Sequence, residues 1–258
     1  MKRLIPLVLN TSLLIAFSFP RDVYVDERTN TGIYFSVQER IFPKHWYYKR
    51  INAMVEPLPV SERRRMITIL NRAFSKYPDE VIRENLEKVY VFRTMKFYGV
   101  PYGGTNNENT IYLADDYSNP SFTDDYIEGV FHHELSSILL RSYSSFLDTN
   151  RWMSLNPKGF KYGGGGLSAI MNGEASLNFD PKLNEQGFLT RYSQSALEED
   201  INMYAQHLFD NDREFWSILE VCDQVHHKAT LLIEFYHRIN PVFTEQYFRD
   251  FYRDTASH

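Results

Sequence analysis

A chain of 258 residues, 43% hydrophobic, 24% charged and 16% aromatic, has the make-up of an ordinary globular protein large enough for one substantial core, and favours a well-packed domain over a disordered one. A formal charge of -5, with no basic run longer than Arg63-Arg64-Arg65, argues against a nucleic-acid partner. The single cysteine, Cys222, excludes an internal disulfide and a cysteine-built zinc site, and reads as a small buried hydrophobe.

The first element predicted is an export signal. Lys2-Arg3 precede an apolar stretch from Leu4 to Phe19, and Ala16 and Ser18 fit the small-residue positions before a cleavage after Ser18. The stretch falls short of the ~20 apolar residues of a membrane span, and no nearby cysteine offers a lipid attachment point. The expectation is therefore a signal peptide over 1–18 and one domain over 19–258, exported to the periplasm, cell surface or medium without a transmembrane span. Cleavage removes Lys2 and Arg3 and takes the formal charge from -5 to -7.

Beyond the signal, Ile33, Phe35 and Val37 alternate like one face of a short strand. Ser61 followed by Glu62 reads as the cap of a helix reaching about Phe74, and Asp79 begins another short helix. Lys88 to Tyr98 and Thr110 to Ala114 are β-rich, and the segment between them, with Pro101, Gly103, Gly104 and three Asn, reads as a loop. Asp124-Asp125 open a helix running through His133 to about Ser144. Gly163 to Gly166 form a glycine run that reads either as a flexible turn or as a loop beside a cleft; no Lys-Ser or Lys-Thr follows to make it a phosphate loop. From Ser195 onward the pattern is helical, broken near Asn240-Pro241.

The helix opened by Asp124-Asp125 carries His133-Glu134-Leu135-Ser136-Ser137. Two histidines four apart on one helix, with a glutamate after the first, form the zinc site and general base of a metallopeptidase. Here the first histidine and the glutamate are present, but Ser137 stands in the second histidine's place. Residues four apart share a helix face, so position 137 is expected to face the same point as His133. A serine hydroxyl is a poor zinc ligand, and adjacent His132 points about 100° away. His207, His226 and His227 are the remaining candidates for a replacement ligand.

Three further segments accompany the motif in order: Trp152 to Gly163 (WMSLNPKGFKYG), Gly187 to Ser193 (GFLTRYS), and Glu199-Asp200-Ile201-Asn202-Met203-Tyr204. Together with the motif helix they resemble the gluzincin-like zinc-binding metallopeptidases of secreted bacterial proteins, over about residues 85 to 210. The resemblance implies an α+β zincin-like domain with a small mixed sheet, a motif helix and a helical C-terminal half. In that family's terms His133 and Glu199 match zinc ligands and Glu134 the general base, with Asp200 as an outer partner of the ligand. Glu198 competes with Glu199, because register near a helix start is uncertain by one residue. Thr110 to Ala114 would be the edge strand to which an extended peptide adds. Many relatives are lipoproteins encoded beside outer-membrane nutrient importers, which implies association with such import proteins.

Two functions follow as expectations. One is a zinc-dependent peptidase in which Glu134 activates a metal-bound water. The other is a catalytically inactive zincin-fold protein that binds a peptide or glycan-linked ligand at the cell surface or in the periplasm. A third, a structural helical domain with a fortuitous His-Glu, would show no cleft at residues 133, 134 and 199. Because Ser137 removes one histidine, zinc is expected to bind weakly, and Ser137→His to tighten it at least ~10- to 100-fold.

Overall fold

The structure, a computed structural model, describes residues 22–37, 40–210 and 212–254. The signal sequence expected over 1–18 lies outside the described residues.

Residues 22–114 build the sheet. Its strands are β1 (Val23–Val25), β2 (Gly32–Tyr34), β3 (Met54–Pro57), β4 (Lys88–Phe97), β5 (Val100–Pro101), β6 (Gly104–Asn107) and β7 (Thr110–Ala114). The order is β1-β2-β4-β7-β6, with β3 and β5 also pairing β4. Strands β2, β4 and β7 run parallel, and β1, β3, β5 and β6 are antiparallel to the strands they pair, so the sheet is mixed.

The alternation of β4 and β7 serves both faces. Val89, Val91, Ile111 and Leu113 enter the main core, which the helices cover. On the opposite face, Phe92, Tyr112 and Ala114 join a smaller cluster with Phe42 and Trp46. There the rings of Tyr34, Tyr90 and Tyr112 stack across three strands, with centroids 5.0 and 5.5 Å apart.

Three local expectations are corrected. Thr110–Ala114 is an interior strand, buried at every residue, because the polar segment read as a loop folds back as β5 and β6. The sequence Gly-Thr-Asn-Asn of β6 has no apolar alternation to betray a strand, and backbone pairing to β7 places it in the sheet. Ser61 caps nothing: its hydroxyl bonds the Glu62 carboxylate, and the first helix begins only at Arg63. Val37 is exposed beyond the end of β2, while Ile33 and Phe35 are fully buried.

The helices are α1 (Arg63–Ser75), α2 (Asp79–Asn85), α3 (Asp124–Ser142), α4 (Thr149–Ser154), α5 (Gly166–Met171), α6 (Pro181–Asn184), α7 (Leu197–Phe209), α8 (Arg213–Val221), α9 (Asp223–Ile239) and α10 (Glu245–Asp254). Helix α3 opens at Asp124, as expected, and is capped by Thr123, whose side chain accepts from Tyr126 N–H. Helix α3 is buried on nearly all sides, with Ile127, Phe131, Leu135, Ile138 and Leu139 in the core. It packs along α7 and against β6, β7 and α1. The architecture is thus α+β, with helices filling the C-terminal half. Among the described residues, no helix is long and apolar enough to cross a membrane.

Candidate functional site

The packing of α3 against α7 decides which polar side chains meet. His133 Nε2 lies 3.0 Å from Glu199 Oε2, with the two side chains 12% and 20% exposed. One turn further along both helices, Asn202 Nδ2 donates to Ser137 Oγ at 2.7 Å, and both residues are buried. Positions 133 and 137 therefore face the same neighbouring helix, as their spacing predicts, and 199 and 202 answer them.

Glu134 points to the sheet side. Its Oε2 accepts from Asn106 Nδ2 at 2.5 Å, and Asn106 Oδ1 accepts from Arg141 Nη2 at 2.5 Å. Arg141 also pairs with Glu198 at 3.5 Å. This places β6 directly against the motif helix. A Cβ at Gly104 would meet Val130 Cγ1, and Glu134 Oε1 at 2.9 Å, so any larger residue forces these side chains of α3 to shift. The glycine run is also a wall of the site, since a Cβ on Gly166 would meet Glu199 Oε1 at 2.5 Å. Tyr192 stands beside the pair, its ring centroid 6.2 Å from that of His133.

The electrostatics follow from this crowding. Burial pushes the Glu134 carboxyl up to about 7; the His133 charge and the Asn106 hydrogen bond oppose the rise, and Glu199 and Glu198 add to it. Burial works against the His133 imidazolium, but the Glu199 hydrogen bond and the charges of Glu199, Glu134 and Glu198 outweigh it and raise its pKa. Burial and then the Glu199 and Glu134 charges raise Tyr192. Tyr102 is pushed up to about 12 by burial, with smaller contributions from Tyr98 and Glu199. The arrangement can hold a proton on Glu134 near neutrality and a charged or strongly polarised imidazole beside it.

The other expected participants lie elsewhere. Glu198, half exposed and paired with Arg141, does not compete for His133. Asp200 is no outer partner of Glu199 or His133: its Oδ2 accepts from Trp152 Nε1 at 2.9 Å, Tyr162 Oη at 2.7 Å and Lys228 Nζ at 2.7 Å inside the core. Adjacent residues on a helix diverge by about 100°, which sends Glu199 and Asp200 to different surroundings. His132 is wholly buried, its Nδ1 2.9 Å from Tyr77 Oη, and burial drives its pKa down to about 4. His207 pairs through Nδ1 with Asp212 at 2.8 Å, its ring 4.6 Å from that of Phe179. His226 and His227 are exposed on α9. None of the three completes the His133–Glu199 pair: among the described residues no group of three or more His, Cys, Asp or Glu is placed to hold a metal ion.

Zinc can be tested directly against these residues. Two tetrahedral ligands of one ion stand ~3.3 Å apart, so the His133–Glu199 separation suits either a shared metal or a hydrogen bond. Catalytic zinc sites, however, take three protein ligands. The place of the third is filled by Ser137, whose Oγ already accepts from Asn202, and Glu134 is tied to Asn106. The residues present do not fit a catalytic zinc site.

Asn106, Asn202 and Tyr192 are site residues to which the sequence assigned no role. Asn106 lay in the presumed loop. Tyr192 and Asn202 fall within segments that carry the family resemblance, and this is the only signal that could have marked them.

No family model matches the chain, and no curated protein matches it. Among solved structures it is similar to the crystal structure of "a putative zinc-binding metallo-peptidase" from Bacteroides caccae ATCC 43185, solved at 2.10 Å. The likeness covers 84% of this chain and 83% of that one, with a TM-score of 0.54 and 14% sequence identity. At that identity it shows a shared overall fold and nothing of the site chemistry.

Proposed function

We propose that this chain is an exported, catalytically inactive zincin-fold protein whose cleft, between β6 and the α3–α7 pair, holds an extended peptide. The observation that carries the reading is Ser137 bonded to Asn202, which leaves His133 and Glu199 as a two-residue remnant of a three-ligand zinc site. The direct His133–Glu199 hydrogen bond supports it, because each group satisfies the other without an ion. Strand β6 supplies the docking edge: among the described residues it pairs only with β7, and an extended peptide adds to such an edge by backbone hydrogen bonds. The fold shared with the Bacteroides caccae protein, itself described as zinc-binding, supports descent from a zinc peptidase.

Calorimetric zinc titration, with incubation of a mixed peptide library followed by mass spectrometry, tests the reading. The expected result is no stoichiometric high-affinity zinc and no cleavage, with retention of extended peptides that is lost when alternate backbone amides of the peptide are N-methylated. A second reading, an active peptidase, is favoured by Glu134 standing buried beside the His133–Glu199 pair. Stoichiometric zinc with cleavage abolished by Glu134→Gln establishes that reading and overturns the first.

A further inference from the structure

The Ser137–Asn202 contact says more than that a histidine is missing. Asn202 Nδ2 lies one hydrogen bond, 2.7 Å, from Ser137 Oγ, inside the volume that an imidazole on the same Cβ would occupy. Neither side chain has room to turn away, since Ser137 is 3% and Asn202 1% exposed. Asn202 also carries a cost of its own, for its Oδ1 is buried without a hydrogen-bond partner among the described residues. An amide with an orphaned oxygen adds little to the core except through its other end, which serves Ser137.

We infer that Ser137 and Asn202 are a matched pair, in which Asn202 closes the third ligand position of a latent zinc site. Zinc binding is therefore blocked from two helices. A histidine placed at 137 alone meets the Asn202 amide and is forced off the metal-facing rotamer, into a core packed too densely to yield. Removing the amide as well clears the space, and His133, Glu199 and the new imidazole then make a two-His-one-Glu set on facing turns of α3 and α7. On this inference Ser137→His alone does not suffice, unlike the expectation drawn from the sequence. It rests on the reading that the natural chain lacks a working zinc site.

The test compares zinc affinity in four proteins by calorimetry: the natural chain, Ser137→His, Asn202→Ala and Ser137→His with Asn202→Ala. Cobalt(II) absorption reports tetrahedral coordination independently of any peptidase activity. The single histidine variant is expected to stay within about threefold of the natural chain, and the double variant to bind ~100-fold tighter, the upper end of what lesser changes around a metal achieve. Adding His133→Ala should abolish that gain. If the double variant folds poorly by circular dichroism, Ser137→Cys with Asn202→Ala supplies a smaller third ligand at the same place. Equal tightening in Ser137→His alone overturns the closure by Asn202, as does a folded double variant no tighter than the natural chain. Tight zinc in the natural chain instead overturns the proposed function, so the two failures are distinct.

Discussion

Glu199 and Asp200 are neighbours on α7, yet they belong to two different kinds of ion pair. Asp200 is fully buried with Lys228, which is itself 0% exposed and lies over the Phe188 ring at 4.2 Å. Burial raises the Asp200 pKa and lowers that of Lys228, while their mutual attraction and the Trp152 and Tyr162 hydrogen bonds hold the charged forms together. Glu199 keeps contact with solvent and pairs with an imidazole. The first pair fastens α7 to α9 and to the segment around Trp152 and Tyr162. The second is partly exposed. A carboxylate enclosed by three donors is a structural fixture, whereas one that is partly exposed and paired with an imidazole keeps its chemistry available.

The sharpest way to break this contrast is Lys228→Met. It strands Asp200 in the core without a counter-charge, and a loss of about 3–5 kcal/mol is expected from urea unfolding. A loss below about 1 kcal/mol would mean that the pair is not the fixture described. Asp200→Asn with Lys228→Met should recover most of the loss, because no buried charge remains.

Next in size is a pH effect at Glu134. Its folded pKa of about 7 stands above the ordinary 4.5, so the folded chain keeps this proton longer than the unfolded one. The associated stability is present below the unfolded value and is lost as pH rises through about 7, by about 3 kcal/mol at most. Glu134→Gln, measured against the natural chain at pH 5 and pH 8 with chelator present, should gain 1–3 kcal/mol in relative stability at the higher pH. Parallel pH profiles would show that Glu134 is better solvated than the structure indicates.

Ser137→Ala is expected to cost about 1–2 kcal/mol, since it leaves the Asn202 amide buried without an acceptor. Ser137→Ala with Asn202→Leu should restore much of that, because an apolar pair asks for no hydrogen bond. If the single change is neutral in thermal and urea unfolding, water reaches the pair. The smallest effect belongs to Glu199→Gln, under about 1 kcal/mol for a partly exposed pair. Its signature is spectroscopic: the His133 ring resonances should titrate at lower pH than in the natural chain. An unshifted titration would remove Glu199 as the partner that raises His133.

Much of this was legible in the sequence because it depends on local period. The β-rich runs 88–98 and 110–114, the motif helix and the helical C-terminal half all follow from alternation or helical spacing, and the motif's own spacing put His133 and Ser137 on one face. Local reading failed where partners are distant. A polar tetrapeptide with no apolar alternation became strand β6, because β7 offered its backbone groups a ladder. The family resemblance made Asp200 an outer partner of the ligand, but one helical step from Glu199 carried it into the core toward a lysine 28 residues away.

The sequence by itself determined the kinds of groups available: one imidazole, one motif glutamate, an acidic start to α7, and serine where a second histidine would complete a zinc site. Only tertiary packing decided which of them meet. Register near a helix start is uncertain by a residue, so sequence left Glu198 and Glu199 open; the docking of α7 on α3 sends Glu199 to His133, Glu198 to Arg141 and Asp200 to Lys228. The same docking brings Asn202 against Ser137 across 65 residues of chain. No period in the sequence encodes that contact, because it exists only where two helix faces are pressed together.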